Sequence, residues 1–294
     1  MASHQIDALQ APLLVAWQLT RDCDLCCLHC CTESAPGKRL PDELDAPAAL
    51  GLADQIIANE VPYVMLCGGE PLIVPHFFAL AERLGQAGVQ LKIETNGQRV
   101  DAEVARRLAR LPLRSVQVSL DADSQASYAR QRPGGSLQRA WEACRALRAA
   151  GVPLEITFAP TRFNIAELDA VIERAVQLGA FRFNTGRLMR IGTAARLWER
   201  LQPDARQYRT LRAALRAQRA RLAGRLELCY EPFSVAQALR SQRREPAATL
   251  LVLPNGAVKV AAALPHLCAD LRRETLAQAW QAYRRAWHSG AVIA

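Results

Sequence analysis

Six short runs of apolar and β-branched residues, each followed by a helical pattern, constrain this chain more than any other feature. They are LLVAWQLT (13–20), PYVMLC (62–67), VQLKIET (89–95), RSVQVSL (114–120), VPLEITF (152–158) and AFRFNTG (180–186). Between them lie stretches such as IAELDAVIERAVQL. There Ile165, Leu168, Val171, Ile172, Ala175 and Val176 recur at helical spacing and predict one buried face. Strands alternating with helices predict an α/β fold built on a parallel sheet, either an open doubly wound sheet or a full or partial barrel. With 294 residues, half of them hydrophobic, the chain can bury such a core as one large domain or a domain with an appendage.

The unusual residues fall where these strands end. CDLCCLHCC (23–31) follows the first, CGGEP (67–71) closes the second, TNG (95–97) the third and SLDAD (119–123) the fourth. In parallel α/β architectures the carboxyl ends of strands are where sites are built.

Five of the nine cysteines lie in that first motif, too crowded for a disulfide framework. Zinc knuckles would pair Cys23 with Cys26 and Cys27 with Cys30, but these pairs abut, without the roughly 12–20 residues that let two knuckles wrap one ion. A purely apolar role does not suit a segment that also carries Asp22, Asp24 and His29. The spacing Cys23-x3-Cys27-x2-Cys30 offers three thiolates, which can hold three irons of a 4Fe-4S cluster and leave the fourth open. The remote alternative is a non-catalytic metal-binding module.

The formal charge is +9, and only Lys38, Lys92 and Lys259 of the 37 basic residues are lysine. Stretches such as LRAALRAQRARLAGR read as solvated helix faces; without interleaved aromatics they make a poor nucleic-acid surface. No run of 18 apolar residues occurs, and the opening residues lack the pattern of a secretory signal, so a cytoplasmic protein without a membrane partner is expected.

CDLCCLHC, GGEP and TNG, in this order, resemble the radical S-adenosylmethionine (radical SAM) enzymes over roughly residues 12–200. The resemblance implies a partial (β/α)6 TIM-like barrel and one 4Fe-4S cluster on Cys23, Cys27 and Cys30. SAM on the open iron would be reductively cleaved to a 5'-deoxyadenosyl radical that abstracts hydrogen from a substrate. It further implies His29 near the adenine, and Gly68, Gly69, Glu70 and Pro71 around the SAM amino group. Thr95, Asn96, Ser119 and Asp121 would contact the ribose and methionine parts, and Arg132 the SAM carboxylate. An electron donor such as flavodoxin or ferredoxin is implied as a partner. Cys26 and Cys31 fall outside the signature and read as passengers.

AWQLTRDCDLCCLHC, QVSLDADSQASYARQRPGGSLQRA and RLMRIGTAARLWERLQPDARQ resemble the SPASM branch, which holds the mycofactocin and pyrroloquinoline quinone maturases and the heme d1 synthesis enzymes. LLVLPNGAVKVAAALPHLCADLRRETLAQAW is similar to the end of a SPASM domain, with valine and alanine where auxiliary-cluster cysteines belong. Only Cys229 and Cys268 lie in this region, too few for a second cluster held by four thiolates, and they read as ordinary buried cysteines. The expected organisation is an N-terminal tail (1–11), a radical SAM core (12–200), a helical connection (201–224) and a degenerate, twitch-like SPASM region (225–294). The branch points to maturation of a ribosomally synthesised peptide presented by a separate leader-binding carrier protein. The alternative is radical modification of a small molecule or tetrapyrrole.

Strand phase adds one expectation. Gln90, Lys92 and Glu94, then Gln117 and Ser119, Glu155 and Thr157, Arg182 and Asn184 alternate with apolar residues, whereas a sheet buried on both faces reads as continuous apolar runs. One face should therefore meet water or ligand, as the lumen of a partial barrel does. On that reading Glu155 and Arg182 hold a polar or zwitterionic substrate; the alternative is an internal polar network that sets the barrel's shape. For the cluster, alanine at Cys23, Cys27 or Cys30 is expected to abolish the brown chromophore and SAM cleavage. Cys26→Ala and Cys31→Ala should keep about one 4Fe-4S cluster per chain. Loss of the cluster in Cys26→Ala with retention in Cys27→Ala would refute this parsing.

Overall fold

Each of the six apolar runs becomes a strand, and four later segments extend them. The computed structural model describes residues 5–289; positions 1–4 of the expected tail and 290–294 of the C-terminal region lie outside the described residues. The strands are β1 (Leu14–Gln18), β2 (Tyr63–Cys67), β3 (Gln90–Thr95), β4 (Leu113–Ser119), β5 (Leu154–Phe158), β6 (Arg182–Gly186), β7 (Glu227–Glu231), β8 (Thr249–Val252), β9 (Ala257–Lys259) and β10 (Leu267–Asp270). The helices are α1 (Ala46–Ala58), α2 (Phe77–Gln86), α3 (Ala102–Leu108), α4 (Gln125–Gln131), α5 (Leu137–Ala149) and α6 (Leu168–Gln177). They continue with α7 (Gly192–Arg196), α8 (Trp198–Leu201), α9 (Ala205–Arg221), α10 (Val235–Arg244) and α11 (Leu276–Trp287).

The strands form one sheet in the order β10-β9-β8-β1-β2-β3-β4-β5-β6-β7. From β8 to β7 every neighbour pair is parallel, while β9 and β10 are added antiparallel at the edge. β1 to β6 run through the sheet in chain order, the arrangement of a partial (β/α)6 barrel. Residues beyond 224 continue the same sheet at both edges, β7 beside β6 and β8 beside β1.

The two phases of each strand separate as their chemistry demands. Leu91 and Ile93 of β3, Val116 and Val118 of β4, Ile156 of β5 and Phe183 of β6 are buried in the main core. Burying such side chains contributes about 1.5–3 kcal/mol each. The helices supply the facing surface: α6 buries Leu168, Val171, Ile172 and Ala175, the periodic residues of its sequence. Helix α9 begins at a capping box in which Asp204 and Gln207 satisfy each other's backbone N–H. It buries Tyr208, Leu211 and Leu215, while Arg206, Arg209, Arg216, Arg219 and Arg221 are exposed. The arginine-rich stretch is thus a solvated helix face, and no helix among the described residues is long and apolar enough to cross a membrane.

The closing helix staples both ends of the described chain. In α11, Trp280 stacks on Tyr283 with ring centroids 5.4 Å apart. The Trp280 indole N–H donates to the Leu9 carbonyl at 2.9 Å, and the Tyr283 hydroxyl to that of Ala247 at 2.8 Å. Trp280 is 1% exposed. Trp280→Ala should therefore cost about 3–5 kcal/mol, through the cavity it leaves and the lost hydrogen bond to Leu9. Urea denaturation should show a lowered midpoint; an unchanged one would mean the staple is dispensable.

Candidate active site

The segment from Asp22 to Gly37 has almost no regular structure, so its shape comes from what it touches. The Asp22 carboxylate accepts the backbone N–H of Cys23 at 3.1 Å and of Gly37 at 2.8 Å, closing the loop at its base. The end of β2 folds onto that base: Gly69 N–H donates to the Thr20 carbonyl at 2.7 Å and Glu70 N–H to that of Asp22 at 3.0 Å. A Cβ on Gly69 would lie 1.8 Å from the Asp22 carbonyl oxygen, so only glycine permits the approach. The segment after α4 straps the far side, with Cys26 N–H on the Pro133 carbonyl and Leu28 N–H on that of Gln131. Gly192, at φ +59, presses on the Cys30 and Cys31 carbonyls, where a Cβ would lie 2.6 Å from each oxygen.

This clasp puts the Cys23, Cys27 and Cys30 side chains on the wall of one cavity of about 490 Å³. Each sulfur has its own donor. Asn96 Nδ2 is 3.7 Å from Cys23 Sγ and Arg132 Nη1 is 3.4 Å from Cys27 Sγ. Ser34 N–H lies 3.3 Å from Cys30 Sγ. Donors aimed at sulfur stabilise thiolate, as iron–sulfur ligation requires. As free thiols the opposite holds: burial pushes Cys23 up to about 12 and Cys27 to about 11, so binding iron there releases protons. Among the described residues no three His, Cys, Asp or Glu side chains converge on a single-ion site. Three sulfurs on one cavity wall suit the corners of a larger cluster.

Of the residues assigned to SAM, the structure brings His29, Gly68, Gly69, Thr95, Asn96, Ser119 and Arg132 to this wall. The other three stand behind it. Glu70 is fully buried, and its carboxylate accepts Thr95 Oγ1–H at 2.8 Å, Asn96 N–H at 2.9 Å and Leu72 N–H at 3.2 Å. Burial raises its carboxyl to about 7 against the opposing pull of the Asn96 and Thr95 hydrogen bonds. By accepting these three hydrogen bonds Glu70 locks GGEP to TNG, and Pro71 is buried beside it. Of the segment expected around the SAM amino group, Gly68 and Gly69 line the cavity, while Glu70 and Pro71 are buried behind them.

Asp121 is likewise fully buried and off the wall. It accepts Arg132 Nε–H at 2.5 Å and Ala159 N–H at 2.7 Å, and lies 3.2 Å from His29 Nε2. Burial opposes its charge, but the Arg132 guanidinium and His29 outweigh that and hold its carboxyl well below the usual range. The contact expected with the ribose or methionine part of SAM is replaced by the aiming of two wall residues. His29 Nδ1 is buried without a hydrogen-bond partner while its ring lines the cavity, an orphan a ligand would satisfy.

Glu155 and Arg182 do not line the cavity. Glu155 is 2% exposed and takes Lys92 Nζ at 3.0 Å, Asn184 Nδ2 at 2.7 Å and Arg182 Nη1 at 3.5 Å. Arg182 is shared with Glu227 at 2.8 Å. The substrate-holding expectation is corrected accordingly: these two neutralise each other within an internal network, because their strands pair Glu155 directly with Arg182. The same polar phase instead sends Glu94, Gln117, Thr157 and Asn184 to the wall. Cys31 and Cys67 reach it too, a placement nothing in the spacing of the cysteines signalled.

Arg132→Met tests the buried pair. Removing one partner leaves an uncompensated charge and should cost about 3–5 kcal/mol at neutral pH. In the wild type Asp121, with its lowered carboxyl, stabilises the fold above the ordinary carboxylate range and stops doing so only as pH falls through its depressed value. In the variant only His29 and the Ala159 N–H oppose burial, so Asp121 titrates higher than in the wild type, and lowering the pH from about 7 to 5 should narrow the stability gap between variant and wild type. Urea unfolding of the cluster-free chain at both pH values reads this; a wild-type-like pH profile would contradict it.

Residues 17–175, more than half of the chain, match the Radical SAM superfamily. Over 200 residues the chain is 37% identical to the mycofactocin maturase MftC of Mycobacterium ulcerans, spanning 68% of this chain and 53% of that protein. It is 33% identical over 225 residues to the PqqA peptide cyclase of Streptomyces rochei, spanning 76% and 61%. The chain thus spans little more than half the length of these relatives. The crystal structure of Streptococcus suis SuiB bound to S-adenosylmethionine shares the fold, with a TM-score of 0.74 at 14% identity over 92% of this chain and 66% of that one. The ordered motifs, the barrel and the matched residues together show that this chain belongs to the radical SAM superfamily, whose members use a 4Fe-4S cluster and S-adenosylmethionine.

Proposed function

We propose that the chain is a SAM-cleaving enzyme that modifies a ribosomally synthesised peptide. The observation that carries the reading is the shared wall: three separately hydrogen-bonded cysteine sulfurs, His29 and the glycines 68–69 line one cavity. When bound, the cluster supplies the electron that splits SAM to methionine and a hydrogen-abstracting 5'-deoxyadenosyl radical.

The residues of the chain divide the remaining work. Cys23, Cys27 and Cys30 would ligate three irons. Asn96, Arg132 and the Ser34 N–H would spread their negative charge, as donors to a metal's ligands do. His29 and Arg132, held by Asp121, would face SAM; Thr95, Asn96 and Ser119 would complete its polar surround. At the mouth Met189 and Phe233, each 47% exposed, form an apolar rim with Val235 and Ala238 of α10. Such a rim suits an extended chain laid across the opening, and the names of the maturase and peptide cyclase relatives support a peptide. On this reading a flavodoxin or ferredoxin delivers the electron, a separate carrier presents the peptide leader, and the work is done in the cytoplasm.

Anaerobic reconstitution with iron and sulfide, followed by SAM and dithionite, should yield 5'-deoxyadenosine and about four irons per chain. Short peptides encoded beside the gene should then change mass only with SAM present. Absence of 5'-deoxyadenosine with stoichiometric zinc would make the chain a metal-binding module. Modification of tetrapyrroles but not peptides would move the substrate class.

A further inference from the structure

The cavity floor holds a polar arrangement that cluster and SAM binding do not account for. Gln117 of β4 is its centre. Its Nε2 donates to Glu94 Oε1 at 3.1 Å, and its Oε1 accepts from Asn184 Nδ2 at 3.0 Å and from Lys92 Nζ at 3.0 Å. The Gln117 amide is thus held at both ends, with Glu94 and Asn184 on either side of it, and all three side chains line the cavity. Asn184 Nδ2 also donates to Glu155 Oε2 at 2.7 Å. What remains is two acceptors: Glu94 Oε2 and Asn184 Oδ1 have no hydrogen-bond donor among the described residues.

The charges point the same way. Glu94, Glu155 and Glu227 face Lys92 and Arg182 across β3 to β7, three carboxylates against two cations. Both cations are engaged by Glu155, and Arg182 by Glu227 as well. Glu94, the one carboxylate of the three on the cavity wall, is the one without an ion pair among the described residues; burial pushes its carboxyl up and Lys92 pulls it down, so a cation at Oε2 would favour its charged form. Glu94 pairs in register with Gln117, two residues before Ser119 on β4, which sets this row about 6–7 Å below the strand-end motifs.

We propose that Glu94, whose Oε2 is left open at one end of the Gln117 amide, is the specificity-determining anchor for a positively charged, hydrogen-bond-donating side chain of the substrate, an ammonium or a guanidinium. The inference rests on the peptide reading above and names the kind of residue the peptide must place near the radical. A neutral side chain would leave Glu94 Oε2 desolvated without a donor, which is how such a site rejects the wrong substrate.

The test uses the cluster-reconstituted chain with SAM and without reductant, immobilised under anaerobic conditions. It is offered pools of decapeptides whose central residue is lysine, arginine, citrulline, norleucine or glutamate, with flanking positions randomised. Retained peptide is quantified by mass spectrometry, and SAM binding by equilibrium dialysis. The lysine or the arginine pool should exceed citrulline and norleucine by about tenfold, the ratio expected for a charge-assisted hydrogen bond in a desolvated site. Whichever of the two leads identifies ammonium or guanidinium. E94Q retains an acceptor for Gln117 and should fold and load iron normally, bind SAM as the wild type does, and lose the preference. Peptide retention without a cation preference, or a preference that survives in E94Q, overturns the anchor and leaves the peptide reading standing. Weakened SAM binding in E94Q assigns Glu94 to the cofactor and also overturns it. Retention of no pool overturns the anchor, while the peptide reading is decided by whether the peptides encoded beside the gene change mass.

Discussion

The cysteine loop has little secondary structure of its own, and everything proposed for this chain depends on the close backbone contact that shapes it. Gly69 and Gly192 reach the Asp22, Cys30 and Cys31 carbonyls at distances no side chain would allow. Those contacts come from the end of β2 and from the segment after β6, far apart in the chain and brought together because the strands lie side by side with their carboxyl ends at one rim. The loop is therefore a product of the barrel: its sulfurs face one cavity only after the sheet has formed.

A second layer fixes the direction of the wall residues. Asp121 has no access to water and is held charged by Arg132, which also reaches Cys27. Glu70 ties two strand ends together through Thr95, Asn96 and Leu72. Both carboxylates resist removal from water, and each is compensated by donors of fixed geometry, so the arrangement admits few alternatives. On the proposed function this rigidity has a use, since hydrogen abstraction demands that cofactor and substrate be held within narrow limits.

The fold was legible to a large extent. Six strands, their order of appearance, the α6 face and the partition of polar and apolar phases all follow from side-chain periodicity, because a strand alternates and a helix repeats at 3.6 residues whatever surrounds it. The cysteine spacing and the three strand-end motifs marked the site. Less legible was which polar side chains stay open to the lumen. Glu155 and Arg182 lie on the polar phase with Gln117 and Asn184, yet only the latter pair reaches the cavity. Gln117, Glu155 and Arg182 share one register row, so the difference lies in what covers them: Lys92, Asn184 and Arg182 close over Glu155, and Glu227 draws Arg182 aside.

What the sequence by itself determined, then, is local: which segments become strands and helices, which face of each is apolar, and which three thiols share the spacing of a cluster ligand set. Those properties depend on residues within a few positions of one another. The tertiary structure decided that Glu70 and Asp121 stand behind the wall, that Cys31, Cys67 and Glu94 stand on it, and that residues after 224 extend both edges of the sheet. Such outcomes depend on pairing and burial between residues tens to hundreds of positions apart. A carboxylate becomes a buried clamp or an open ligand site according to which distant donors the register delivers to it.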